Sequence, residues 1–182
     1  MIRDFLIPFV AVGLAELGDK TQVSLILISS KTQDHTRLLG GVLLGFLLVD
    51  GVAVAAGAWA AKLILPSTLK IIAGIMFLLF GALMLTANDE SGKRFHHKNP
   101  FLAGFLIISL TEWGDKTQVA AALFSATYNP LMVLAGTMLS LVILSAAAIY
   151  VGKRISGAVD QRKMTVAAAA VFILLGLSSL LL

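Results

Sequence analysis

The chain has 182 residues, 58% of them hydrophobic and only 13% charged, with a mean hydropathy of +0.94 and a formal charge of +4. A soluble domain sits nearer half apolar and a quarter charged, so this composition points to an integral membrane protein. With no cysteine, disulfides and thiolate metal sites are excluded, and the modest charge excess forms no patch of the kind that binds nucleic acid.

Taken in chain order, apolar runs fall at Phe5–Ser30, Leu38–Ala61, Ser67–Ala87, Phe101–Tyr128, Leu131–Val151 and Met164–Leu182. Each approaches or exceeds the ~20 residues a helix needs to cross ~30 Å of hydrocarbon. The breaks between them carry turn chemistry: Lys31-Thr32-Gln33-Asp34-His35 after the first, Pro66-Ser67 before the third, Asn129-Pro130 before the fifth. The expectation is an all-α membrane protein with six transmembrane helices, and no run shows the two-residue alternation of a β-barrel. The first run is expected to stay as a helix rather than be cleaved as a signal peptide, since Glu16 and Asp19 interrupt it.

Orientation follows from the cations. The loops after the first, third and fifth runs hold nine: Lys31, Arg37, Lys93, Arg94, Lys98, Lys153, Arg154, Arg162 and Lys163. The other side holds three, Arg3, Lys62 and Lys70. The positive-inside rule then puts the nine in the cytoplasm and both termini outside, in what is expected to be a prokaryotic plasma membrane.

The chain repeats itself. AELGDKTQV (Ala15–Val23) returns as TEWGDKTQV (Thr111–Val119), with Glu16 and Glu112 96 residues apart, and MFLLFGAL (Met76–Leu83) resembles VFILLGLS (Val171–Ser178) at an offset of 95. The division expected is residues 1–87 as one three-helix repeat, 88–99 as a cytoplasmic linker and 100–182 as a second repeat. An odd number of spans per half inserts the second half upside down, the inverted-repeat plan common among secondary transporters.

The repeated phrase places charge at mid-bilayer, about 17 Å from the start of each run at 1.5 Å per residue. On a continuous helix, Glu16 and Asp19 share a face, as do Glu112 and Asp115, while Lys20 and Lys116 sit four residues after their glutamates in ion-pairing position. Gln22 and Gln118 add amide oxygens, and Thr21 and Thr117 add hydroxyls. Insertion scales put a cost of ~2.5–3.5 kcal/mol on each Asp, Lys or Arg at a helix centre, so six such groups facing lipid would cost on the order of 15 kcal/mol or more. They must face one another, water or an ion. Two Glu–Lys staples would leave Asp19 and Asp115 without an evident partner. Four carboxylates and two lysines sum to −2, which one divalent cation neutralises. The oxygens are hard ligands, suited to Ca²⁺, Mn²⁺ or Mg²⁺, and no run contains a histidine to favour zinc or copper. Gly18 and Gly114 permit either close helix packing or a local unwinding.

Two E-x-G-D-[KR]-[TS] phrases, in the first and fourth of six runs, resemble the signature of the Gdt/MneA-type cation–proton exchangers, and the resemblance covers essentially the whole chain. It implies manganese or calcium as cargo, protons as counter-ion, no resident cofactor and no enzymatic activity. Residue by residue it implies Glu16, Asp19, Glu112 and Asp115 as the ion site, with Gln22 and Gln118 as extensions of the pattern. Outside the motifs, Asp50 is a deep acid with no counterpart at Ala146, and either relays protons, supplies a ligand or bonds a neighbouring helix. His35, His96 and His97 fall in predicted loops, where a solvated role is expected, and Trp59 and Tyr150 are expected as interfacial anchors. The function expected is export of Mn²⁺, or of Ca²⁺, against H⁺ by two rocking halves, with the lipid bilayer as partner and a homo-oligomer left open. The competing readings are a passive divalent-cation channel, an exporter of another small solute and an intramembrane enzyme.

Overall fold

The computed structural model describes residues 1–86, 99–155 and 161–181. The expected linker 88–99 therefore lies outside the described residues except for Asn99, and so do His96, His97, Lys93, Arg94 and Lys98. The described residues form eight α-helices and no strand: α1 (Ile2–Glu16), α2 (Lys20–Ser29), α3 (His35–Ala60), α4 (Pro66–Thr86), α5 (Pro100–Thr111), α6 (Lys116–Thr127), α7 (Pro130–Ile155) and α8 (Gln161–Leu181). Side-chain caps set several starts. The Asp34 carboxylate accepts the Arg37 N–H at 3.1 Å, and the Asn99 amide oxygen accepts the Phe101 N–H at 3.0 Å, just before a proline in the first turn of α5.

The runs expected at Phe5–Ser30 and Phe101–Tyr128 are each two helices rather than one. The chain leaves α1 at Glu16 and re-enters at Lys20, and leaves α5 at Thr111 and re-enters at Lys116. The cause is local: Gly18 and Gly114 have φ of 85° and 76°, a left-handed turn that no right-handed helix accommodates.

Each half packs mainly through the other half. α1 lies on α7 while α5 lies on α3, α2 touches α7 while α6 touches α3, and α4 and α8 pair together. Close backbone approach marks the equivalent contacts. A Cβ on Gly41 of α3 would run into the Phe101 carbonyl and lie 3.0 Å from the Phe105 nitrogen. On Gly136 of α7 it would run into the Phe5 carbonyl and lie 3.3 Å from the Phe9 nitrogen. Gly81 likewise presses on Ile173, and Gly176 on Leu78, along the α4–α8 seam. Phe77 of α4 joins this seam to the centre, with ring centroids 4.9 Å from Phe124 and 5.8 Å from Phe172.

Two sets of contacts define the ends of the bundle. At one end a cavity of about 290 Å³ is lined by Arg3, Lys70, Thr127, Tyr128 and Ser179, with the Arg3 guanidinium 5.8 Å above the Tyr128 ring. At the other, His35 meets Tyr150 edge to face at 5.6 Å. The outer surface is apolar: Leu44, Leu47 and Leu48 on α3, Ile71, Ile75 and Leu79 on α4, and Leu174 and Leu177 on α8 are exposed. Water-facing proteins rarely show contiguous surface of this kind. Among the described residues, three helices are long and apolar enough to cross a membrane: His35–Ala60, Pro66–Leu83 and Pro130–Tyr150. This is a membrane protein built from helices.

Candidate cation site

The two breaks form the candidate site. Where α1 ends, the Gln22 amide takes over two backbone groups that the unwinding frees: its oxygen accepts the Gly18 N–H at 3.0 Å and its nitrogen donates to the Glu16 carbonyl at 2.8 Å. Asp19 caps α2, accepting the Lys20 N–H at 2.7 Å. In the second half the Gln118 oxygen accepts the Gly114 N–H at 2.6 Å, while its nitrogen reaches across to the Val49 carbonyl of α3 at 3.3 Å. Without water to satisfy them, such groups cost several kcal/mol each, so the glutamines are what makes unwinding tolerable at membrane depth. The glutamines expected as ion ligands are thus both engaged with backbone.

Around the breaks the acids of both motifs gather. Glu16 is 2% exposed and Glu112 3%. Lys116 reaches from the start of α6 into the first motif, hydrogen-bonding the Asp19 carboxylate and lying 3.7 Å from Glu16 Oε1, while its own neighbour Asp115 is 3.4 Å away. Thr21, from the first motif, donates to Glu112 Oε1 in the second at 2.5 Å. The motifs therefore interlock, each supplying a donor to the other's acids. Glu16 Oε1 and Glu112 Oε2 remain buried with no hydrogen-bond partner. A buried carboxylate oxygen with no hydrogen bond is a position where an ion can bind.

Three expectations change. The intrahelical pairs Glu16–Lys20 and Glu112–Lys116 do not form, because the helix whose i, i+4 spacing would create them is broken between the partners. For the same reason Glu16 and Asp19 share no helical face; they meet by the turn at Gly18 instead, and the turn at Gly114 likewise separates Glu112 from Asp115. Lys20 is exposed, and among the described residues no carboxylate lies within ion-pair distance of its ammonium. The charge balance is accordingly four carboxylates against Lys116 alone rather than against two lysines. Thr117 is buried like Thr21, yet its hydroxyl makes no hydrogen bond among the described residues, so the equivalent of the Thr21–Glu112 bond is missing. The two-fold relation between the motifs is broken at Lys and at Thr.

Thr111 escaped sequence reasoning. Its hydroxyl bonds the Ile107 carbonyl at 2.7 Å and lies 3.2 Å from Glu112 Oε1, a position held in the first motif by Ala15, which has no hydroxyl to reveal the role. Asp50, on α3, is 3% exposed and directly follows Val49, whose carbonyl the Gln118 amide bonds.

Carboxylate oxygens of Glu16, Asp19 and Asp115 all lie within 4.8 Å of one another. Around a hard cation with ligands at ~2.3–2.6 Å, opposite oxygens stand about 4.6–5.2 Å apart. The triad spans one ion, and the Lys116 ammonium offsets only one of its three negative charges.

Comparison with known proteins agrees with this chemistry. Residues 4–92 and 100–182 match the family described as divalent cation/proton antiporter GDT1. A Vibrio cholerae protein named "Putative manganese exporter" is 27% identical over 176 residues, 95% of this chain and 88% of that protein. GDT1-like protein 5 of Arabidopsis thaliana is 26% identical over 92% of this chain and 91% of its own length. The divalent cation/proton antiporter GDT1 of Saccharomyces cerevisiae is 29% identical over 77 residues, 42% of this chain and 27% of its own. No solved structure matches.

Proposed function

Since the chain belongs to the divalent cation/proton antiporter GDT1 family, we propose that it exports Mn²⁺, or alternatively Ca²⁺, from the cytoplasm in exchange for H⁺ at the interlocked motifs. The observation that carries this is the meeting of Glu16, Asp19 and Asp115 within one ion's width, beside buried oxygens of Glu16 and Glu112 that accept no hydrogen bond. Metal and proton compete for these oxygens, because a protonated carboxylate is a poor ligand. Glu112 is held by hydroxyls and stands apart from the ammonium, so with Asp50 it forms the proton-carrying side of the cluster, and the triad forms the metal-holding side.

Vectorial exchange needs two accesses. We read α1–α2, α3 and α4 as three crossings and α5–α6, α7 and α8 as three more, inserted upside down. The reciprocal packing of α1 on α7 and α5 on α3 supports this. So does the pairing of ends, since Arg3, Lys70, Tyr128 and Ser179 gather at one end and His35 and Tyr150 at the other, as six alternating crossings require. The halves rock about the fixed site, and the fully ionised cluster without a bound cation or protons is too costly to cross the low-dielectric interior, which couples the fluxes.

The test is flux into proteoliposomes. A pH gradient should drive Mn²⁺ uphill, with Ca²⁺ and Mg²⁺ run in parallel, and apparent metal affinity should fall as pH drops. Glu16→Gln and Glu112→Gln, which keep size and remove charge, should each abolish exchange in protein that still inserts. Flux that only ever runs downhill would instead identify a channel.

A further inference from the structure

We propose that Lys116 is a tethered competitor for the transported metal: its ammonium and the divalent cation occupy the same carboxylate cage in turn. The proposal rests on the metal-site reading above and deepens it. Three observations carry it. First, the ammonium contacts Asp19, Glu16 and Asp115, which are the three acids whose oxygens also converge within one ion's width. A metal among those oxygens and an ammonium bonded to Asp19 cannot coexist, by space and by like charge. Second, the contact is made across the halves: Lys116 starts α6 in the second motif, whereas Glu16 and Asp19 belong to the first. Third, the chemically identical Lys20 is exposed at the equivalent point, so the motif does not of itself force its lysine into the cage.

The lysine stays charged throughout. It moves as a side chain on four methylenes, from the cage when metal enters and back when metal leaves. Its charge keeps the metal-free cage from holding three bare carboxylates at close range, and its departure contributes the selectivity: a monovalent ion gains too little from the acids to displace an ammonium already there, while a divalent ion gains twice as much.

Mn²⁺ titration of purified full-length protein by calorimetry, in one detergent at one pH, tests this. Lys116→Gln removes the competitor and should tighten Mn²⁺ binding at least about tenfold, the low end for close buried charge pairs. Lys116→Arg keeps the charge and should bind no tighter than the unmodified chain. Lys20→Gln, the same loss of charge at an exposed position, should change binding less than threefold. Ethylammonium added to Lys116→Ala should compete with Mn²⁺, while leaving the unmodified chain unaffected. Binding that is weakened or unchanged in Lys116→Gln overturns the proposal, as does an equal gain in Lys20→Gln, which would reduce the effect to net charge. If Lys116→Gln does not fold, Lys116→Arg decides, and tighter binding there overturns it. The same titration with Glu16→Gln and Asp19→Asn separates the two levels. Binding that survives both removes the site itself and this inference with it. Binding that needs those acids but ignores Lys116 removes the inference alone.

Discussion

At the scale of single residues, the site is asymmetric although its two motifs match letter for letter over G-D-K-T-Q-V. Thr21 donates to a buried glutamate and Thr117 does not; Lys116 enters the acid cluster and Lys20 stays outside. Identical sequences in different surroundings thus make different contacts. The threonines offer a clean measurement. Valine keeps the shape of threonine and removes the hydroxyl, so Thr21→Val takes a hydrogen bond from a buried carboxylate, a loss worth about 1.5–3 kcal/mol. Thr117→Val should cost well under half as much. Chemical unfolding in detergent, run on both, checks the order, and equal losses would mean that the working protein is symmetric at this point.

At the scale of elements, the decisive feature is that two helices stop and restart in the middle of their runs. Gly114 makes the point without complication, since a Cβ there would meet nothing within 4 Å while the backbone sits at φ +76°. Gly114→Ala therefore adds backbone strain only, about 1–2 kcal/mol. Gly41→Ala is the opposite case, with ordinary helical backbone but a Cβ driven into the Phe101 carbonyl of α5, so that α3 and α5 must part. The element-scale expectation is that Gly114→Ala lowers stability modestly and slows exchange by disturbing the break, whereas Gly41→Ala, an overpacking of about 1–3 kcal/mol, acts on helix association. Unfolding midpoints paired with flux rates distinguish them; an unchanged Gly114→Ala would mean that the left-handed turn is not part of the working state.

For the whole molecule, the nine cations against three predict sidedness. The chain has no cysteine, so a single introduced thiol reports position without background. Ser67→Cys, exposed at the start of α4, should react with a membrane-impermeant maleimide in intact cells, and Ser91→Cys should react only after permeabilisation. Labelling of Ser91→Cys from outside would invert the topology.

The sequence by itself determined a great deal. Composition required a bilayer, the doubled E-x-G-D-K-T-Q-V phrase picked out acids that the fold brings together, and Arg and Lys counts supplied an orientation to test. These are properties of residues added up along the chain, and they survive whatever the fold does. Sequence spacing failed where backbone geometry intervened. A glycine permits packing or unwinding equally, so only the observed φ of 85° and 76° shows that i, i+4 pairing between Glu16 and Lys20 is lost. The partners of a charge were beyond reach for a related reason. Lys116 and Asp19 stand 97 residues apart, as do no pair that periodicity links, and they meet because α1 packs on α7 and α5 on α3. Periodicity describes neighbours along one helix; which half of a duplicated chain supplies the ammonium and which the carboxylate is settled by the packing between helices.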